Sequence, residues 1–134
     1  MDALAVAQRW ARTWERAWPA RATDDIIALY ADGASYRASA LRGPEPGGAA
    51  AYLGRQFAVE ENVRCRFGDP VAAGDRAAVE WWASWVESGQ PVTLAGVTVL
   101  RFDDCERVVD HVDYWLSTVG RHEPYSGWGS ASDG

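Results

Sequence analysis

Lysine is absent from this chain, and all thirteen basic residues are arginine. Schiff-base catalysis and a phosphate-gripping P-loop lysine are therefore excluded. No G-x-S-x-G, G-x-G-x-x-G or C-x-x-C occurs, which removes the usual serine-hydrolase, dinucleotide-binding and thioredoxin-like readings. No apolar run reaches the ~18 residues that a bilayer span needs. The opening Met1-Asp2-Ala3-Leu4 lacks a basic stretch followed by an apolar core, so the expectation is a cytoplasmic protein without a secretory signal. Cysteine is scarce. Cys65 and Cys105 read most simply as two reduced thiols. Positive charge is also in deficit: nineteen acids against thirteen bases give a net charge of -6. Such a surface repels phosphate, so neither nucleic acid nor an anionic membrane is an expected partner.

What the chain has in excess is tryptophan, eight in 134 residues. These rings carry large apolar area with one donor each, and suit cores, interfaces and pocket walls. The length fits one domain. We place it at 1–120, followed by a glycine- and serine-rich tail, 121–134, whose end is expected to be mobile.

Leu4, Ala7, Trp10, Ala11, Trp14, Ala17 and Trp18 recur at steps of three and four, which predicts an amphipathic helix capped by Asp2 and ended by Pro19. A second helix is expected from an N-cap at Thr23 through Ile26, Ile27, Leu29 and Tyr30, stopped by Ala31-Asp32-Gly33. Residues 34–38 suit a short edge strand and 41–48 a loop. A third helix is expected over 49–57. The segments 63–67, 77–86, 92–102 and 107–116 are rich in β-branched and aromatic residues and separated by turn residues, so they predict an antiparallel meander. The fold class is thus α+β: three N-terminal helices packed on a curved, mainly antiparallel sheet.

Alternation along strands groups His111, Asp113 and Trp115; Trp81, Ala83 and Trp85; and Gly96, Thr98 and Leu100. It does not say which sets face inward. Residues 29–36 (Leu-Tyr-Ala-Asp-Gly-Ala-Ser-Tyr), Gly89-Gln90-Pro91, Leu100-Arg101-Phe102-Asp103 and Asp113-Tyr114-Trp115, in that order, resemble the nuclear transport factor 2-like superfamily. The tail, Gly120-Arg121-His122-Glu123-Pro124 up to Gly127-Trp128-Gly129, is similar to its SnoaL-like branch. The resemblance implies a cone-shaped fold with an apolar cavity between sheet and helices, and a homodimer made through the sheet. It also implies that the three sets above face inward, with Trp14, Trp18, Tyr36 and Ala38 closing the cavity.

The superfamily's chemistries differ in the residue types they require. Ketosteroid isomerases use a tyrosine, an aspartate base and a protonated aspartic acid, and the matching positions here are Trp14, Ala38 and Thr98. Limonene epoxide hydrolases use an arginine between two aspartates, but Trp81 and Ala83 stand at two of those places and only Asp113 matches. SnoaL-like cyclases use an aspartate as acid/base, and Asp113 matches that position in type. The expected function is a small-molecule-binding protein that holds an apolar or aromatic ligand in a tryptophan-lined pocket. Any chemistry would be of the cofactor-free cyclase, isomerase or hydratase type, with Asp113 as general acid/base and His111 assisting. The alternative is a non-catalytic ligand-binding or dimeric accessory domain. Inside such a pocket, desolvation is expected to raise the pKa of Asp113. The competing structural reading pairs Asp113 with Arg37, or makes it a satisfied polar group capping a neighbouring element, and makes His111 a core residue. His111-x-Asp113 offers two ligands on one strand, too few for a zinc site, so neither metal nor cofactor is expected. Trp82 is placed on the outer sheet face, in a dimer contact.

Overall fold

The computed structural model describes residues 1–130, so the expected mobile end of the tail at 131–134 lies outside the described residues. Helix α1 spans Ala3–Ala20, α2 Thr23–Ile27 and α3 Gly48–Val59. The strands are β1 (Tyr30–Arg37), β2 (Glu61–Phe67), β3 (Val71–Ala73), β4 (Arg76–Glu87), β5 (Gln90–Phe102) and β6 (Val108–Val119). They form one sheet in the order β1-β6-β5-β4-β2, with β3 paired to β4. β4, β5 and β6 make the predicted antiparallel meander. β1 joins its edge in parallel with β6. The helices cover one face, which gives the expected α+β class.

α1 starts as predicted: the Asp2 carboxylate accepts from the Ala5 N–H. Trp10, Trp14 and Trp18 are buried in one stripe. Leu4, expected in that stripe, is exposed, and Val6 takes its place in the core. Pro19 does not end the helix, because in the last turn it removes one hydrogen bond without blocking the turn itself. The carbonyl it leaves free, that of Glu15, accepts from Cys65 Sγ at 3.5 Å. Arg21 ends the helix in a left-handed conformation. Glu15 Oε2 also accepts from the Phe67 N–H at 2.7 Å, and Arg12 donates to the Phe67 carbonyl at 2.8 Å. α1 is thereby tied across β2.

α2 is shorter than its sequence suggests. Thr23 is its first residue rather than its N-cap, the cap position falling on Ala22, and the Thr23 hydroxyl donates back to the Arg21 carbonyl. Tyr30 belongs to β1, where parallel pairing with β6 overrides helical spacing. Gly33 does take a positive φ, +73°, but within β1, where the register shifts between Tyr30 and Ser35. The short β3 went unpredicted, since three residues hairpinned over Gly74 carry no periodicity of their own.

Gly96 lets the middle of the sheet close. A Cβ there would sit 2.1 Å from the Tyr114 carbonyl oxygen. The tail covers part of the outer face. Trp82 donates its indole N–H to the His122 carbonyl at 2.8 Å, and the Arg121 guanidinium lies over its ring. Trp82 is thus buried by its own chain and is not an open dimer contact. Arg121 and His122, at the start of the tail, provide that cover.

Candidate functional site

Between the helices and the inner sheet face lies a cavity of about 550 Å³. Trp14 and Trp18 from α1, Trp81 and Trp85 from β4, and Thr98, Asp113 and Trp115 from β5 and β6 line it, with Ala38 at the end of β1. Tyr36, Ala83 and Leu100, expected on its wall, are packed behind it. Ala83 is too short to reach past its tryptophan neighbours, Leu100 is enclosed in the core, and Tyr36 is stacked flat on His111, ring centroids 3.9 Å apart. His111 is also off the wall, 1% exposed.

α3 supplies wall that was not read from the sequence: Tyr52, Gln56 and Glu60 on one stripe, Leu53 and Phe57 on the next. The spacing i, i+4, i+8 of the first three was a visible signal. Trp10 and Phe67 also contribute, as do the exposed Glu87 and Gln90. All are additions to the expected site.

A chain of buried hydrogen bonds runs behind the wall. Trp10 and Trp14 both donate their indole N–H to the Tyr30 hydroxyl oxygen, at 3.2 and 3.3 Å. With both lone pairs engaged, that oxygen directs its own proton to His111 Nδ1, 2.8 Å away. His111 Nε2 then carries the other proton and donates to Asp113 Oδ1 at 2.8 Å. This assigns His111 a single neutral tautomer. From the other side, Trp81 donates to Thr98 Oγ1 at 2.9 Å, and Thr98 donates to the same Asp113 Oδ1 at 2.6 Å. Asp113 Oδ2 receives no donor from the described residues. Arg37 donates to Ser35 rather than to Asp113, so the structural pairing considered for Asp113 is not the one formed.

Burial holds the phenols of Tyr30, Tyr36 and Tyr52 above their ordinary range, and the Asp113 charge adds to the shift in each. They are neutral hydroxyls at physiological pH. Burial likewise raises Glu60, against the opposing hydrogen bonds from Trp18 and Gln56. Trp18 Nε1 meets Glu60 Oε1 at 2.7 Å. The Cys65 thiol is pushed up to about 12, chiefly by burial, so it is no nucleophile. Cys105 is exposed in a turn. No three of His, Cys, Asp or Glu among the described residues converge as a metal-ligand set, and no described helix is long and apolar enough to cross a membrane.

Solved structures share this architecture. A protein with a ketosteroid isomerase-like fold from Catenulispora acidiphila, in complex with trimethylamine, is 22% identical, with a TM-score of 0.67 over 78% of this chain and 83% of that one. An epoxide hydrolase of Mycobacterium tuberculosis, similar to limonene epoxide hydrolase, is 18% identical, with a TM-score of 0.68 over 84% of each chain. AclR from Streptomyces galilaeus is 18% identical, with a TM-score of 0.70 over 84% of this chain and 79% of that one. At these identities the likeness speaks for the fold. No curated protein matches the sequence. The sequence pattern of the SnoaL-like domain matches residues 8–111, which run from within α1 through β5 to His111 near the start of β6. The chain belongs to the SnoaL-like domain family.

Proposed function

We propose that the cavity binds one small, largely apolar ligand, and that Asp113 acts on it as a general acid/base in cofactor-free chemistry of the cyclase, isomerase or hydratase type. The observation that carries this is the split between the two Asp113 oxygens. Oδ1 takes both protein donors, from His111 and Thr98, and Oδ2 is left for the ligand. A base held this way loses little freedom on reaction, and pre-orientation is a large part of catalytic advantage. Proton transfer by a positioned side chain contributes ~10²–10⁴-fold in rate. Asp113 is the group that touches the ligand. His111 stands behind it as a positioning residue, and Tyr30 sets the tautomer that lets it donate.

The wall supports the ligand class. Indole rings present wide apolar faces, and a volume of about 550 Å³ falls within the ~300–1,000 Å³ usual for small-molecule sites. We further propose that the protein works as a homodimer through the sheet face that carries the exposed Tyr114 and Leu116.

Titration of intrinsic tryptophan emission with a panel of aromatic polyketides, terpenoids and steroids tests the reading, with each binder then followed for conversion by mass spectrometry. Saturable quenching by a ring-bearing compound, followed by its conversion, is the expected result. Quenching without conversion of any binder would favour a non-catalytic binding domain, and no quenching at all would remove the ligand site.

A further inference from the structure

The hydrogen-bonding inventory of the cavity wall is one-sided. All six tryptophans on it have their N–H engaged within the protein. Trp10 and Trp14 donate to Tyr30, Trp18 to Glu60, Trp81 to Thr98, Trp85 to Glu87 and Trp115 to the Ala38 carbonyl. No indole N–H on the wall is therefore left over for a ligand, and what the rings can offer it is apolar and π surface. Trp18 lies 5.6, 6.0 and 5.9 Å from Trp14, Trp81 and Trp85, inclined at 83°, 66° and 48°. Rings so inclined form a cup rather than a stack.

Among the described residues, no arginine forms an ion pair with the carboxyls on the same wall. Glu60 is 1% exposed, and Arg21 reaches its main-chain carbonyl instead of its carboxyl. Asp113 is paired only with a His111 whose tautomer is neutral. Glu87, an exposed lining residue, takes a neutral indole N–H. Among the described residues Arg42 is the single cationic side chain lining the cavity, and it is exposed. Arg21 eases the Glu60 charge from outside the cavity lining, but no described cationic side chain is ion-paired with these carboxyls, so a cationic ligand would complement the wall.

We propose that the molecule this cavity takes is an organic cation: an apolar or aromatic body bearing a tertiary or quaternary ammonium group, held over the indole faces and beside Glu60 and Asp113. Cation–π attraction is strongest at tryptophan and grows when the cation is desolvated, both of which apply here. This deepens the reading of the cavity as a ligand site and rests on it.

Fluorescence or calorimetric titration with benzyltrimethylammonium and with neopentylbenzene, its neutral isostere, tests the proposal. Binding of the cation about tenfold or more tighter than the isostere is expected. Glu60→Gln keeps an acceptor for Trp18, and the surface variant Glu87→Gln carries little folding risk. Each is expected to weaken the cation several-fold and leave the isostere unchanged. Equal or tighter binding of the isostere would overturn the cation proposal and leave the apolar ligand site standing. Failure of both compounds to bind at millimolar concentration would overturn both.

Discussion

Thr98 and Asp113 face each other across β5 and β6 as direct register partners, and the threonine hydroxyl donates to Asp113 Oδ1 at 2.6 Å. That hydroxyl also accepts from Trp81, so it has only its proton to give to the carboxylate. Thr98→Val keeps the shape and removes both roles. It should leave the Trp81 N–H without an acceptor and cost about 1–3 kcal/mol, read as a lower urea midpoint. Thr98→Ser should restore most of the loss. A valine variant as stable as the wild type would show that the hydroxyl is not part of the network.

Tyr30→Phe removes the acceptor shared by Trp10 and Trp14 and the donor to His111 Nδ1. Two buried indole N–H groups then lack partners, and a loss of about 2–4 kcal/mol is expected in chemical denaturation. The tautomer of His111 also loses its constraint. Nitrogen-15 shifts of the imidazole should move from the signature of a single tautomer, Nε2–H, to that of a mixture. An unchanged pattern would mean that Asp113 alone sets it.

Burial raises the Glu60 pKa above its ordinary 4.5. The folded chain therefore holds that proton more tightly than the unfolded one does. The contribution is present below the ordinary glutamate range and is lost as pH rises through the raised folded value. The groups that act on Glu60 are Glu87 on β4, Arg21 after α1, and the Trp18 and Gln56 hydrogen bonds. Glu60→Gln removes the titration and keeps the oxygen that Trp18 needs. The variant should gain stability relative to wild type as pH rises from about 4.5 toward neutrality, measured as urea midpoints across that range. A constant difference between the two proteins would contradict the assignment.

Much of the fold is legible in the sequence because its signals are local. The tryptophan spacing of α1 and the alternation on β4, β5 and β6 each follow from one element's own period. The α2 boundary was misread because Tyr30 is recruited into β1 by pairing with residues nearly eighty positions away. Asp113 was visible as a polar residue on an aromatic face. Glu60 was not, since a carboxylate at a helix end reads as a solvated charge until Trp18 is folded over it. His111 was singled out by type, but only the packed structure shows both its nitrogens occupied and its ring covered by Tyr36. The tail's cover over Trp82 is also hidden, because its hydrogen bond goes to a backbone carbonyl, that of His122, which carries no side-chain signal.

The central claim is that the free oxygen of Asp113 moves a proton to or from the ligand. Hydrogen–deuterium exchange at the carbon positions of a bound ligand, followed by mass spectrometry in heavy water, measures this directly. The wild-type protein should catalyse exchange at one position. Asp113→Asn should bind the ligand and slow that exchange by roughly 10²–10⁴-fold. Equal exchange rates in the two proteins, at equal occupancy, would contradict the account.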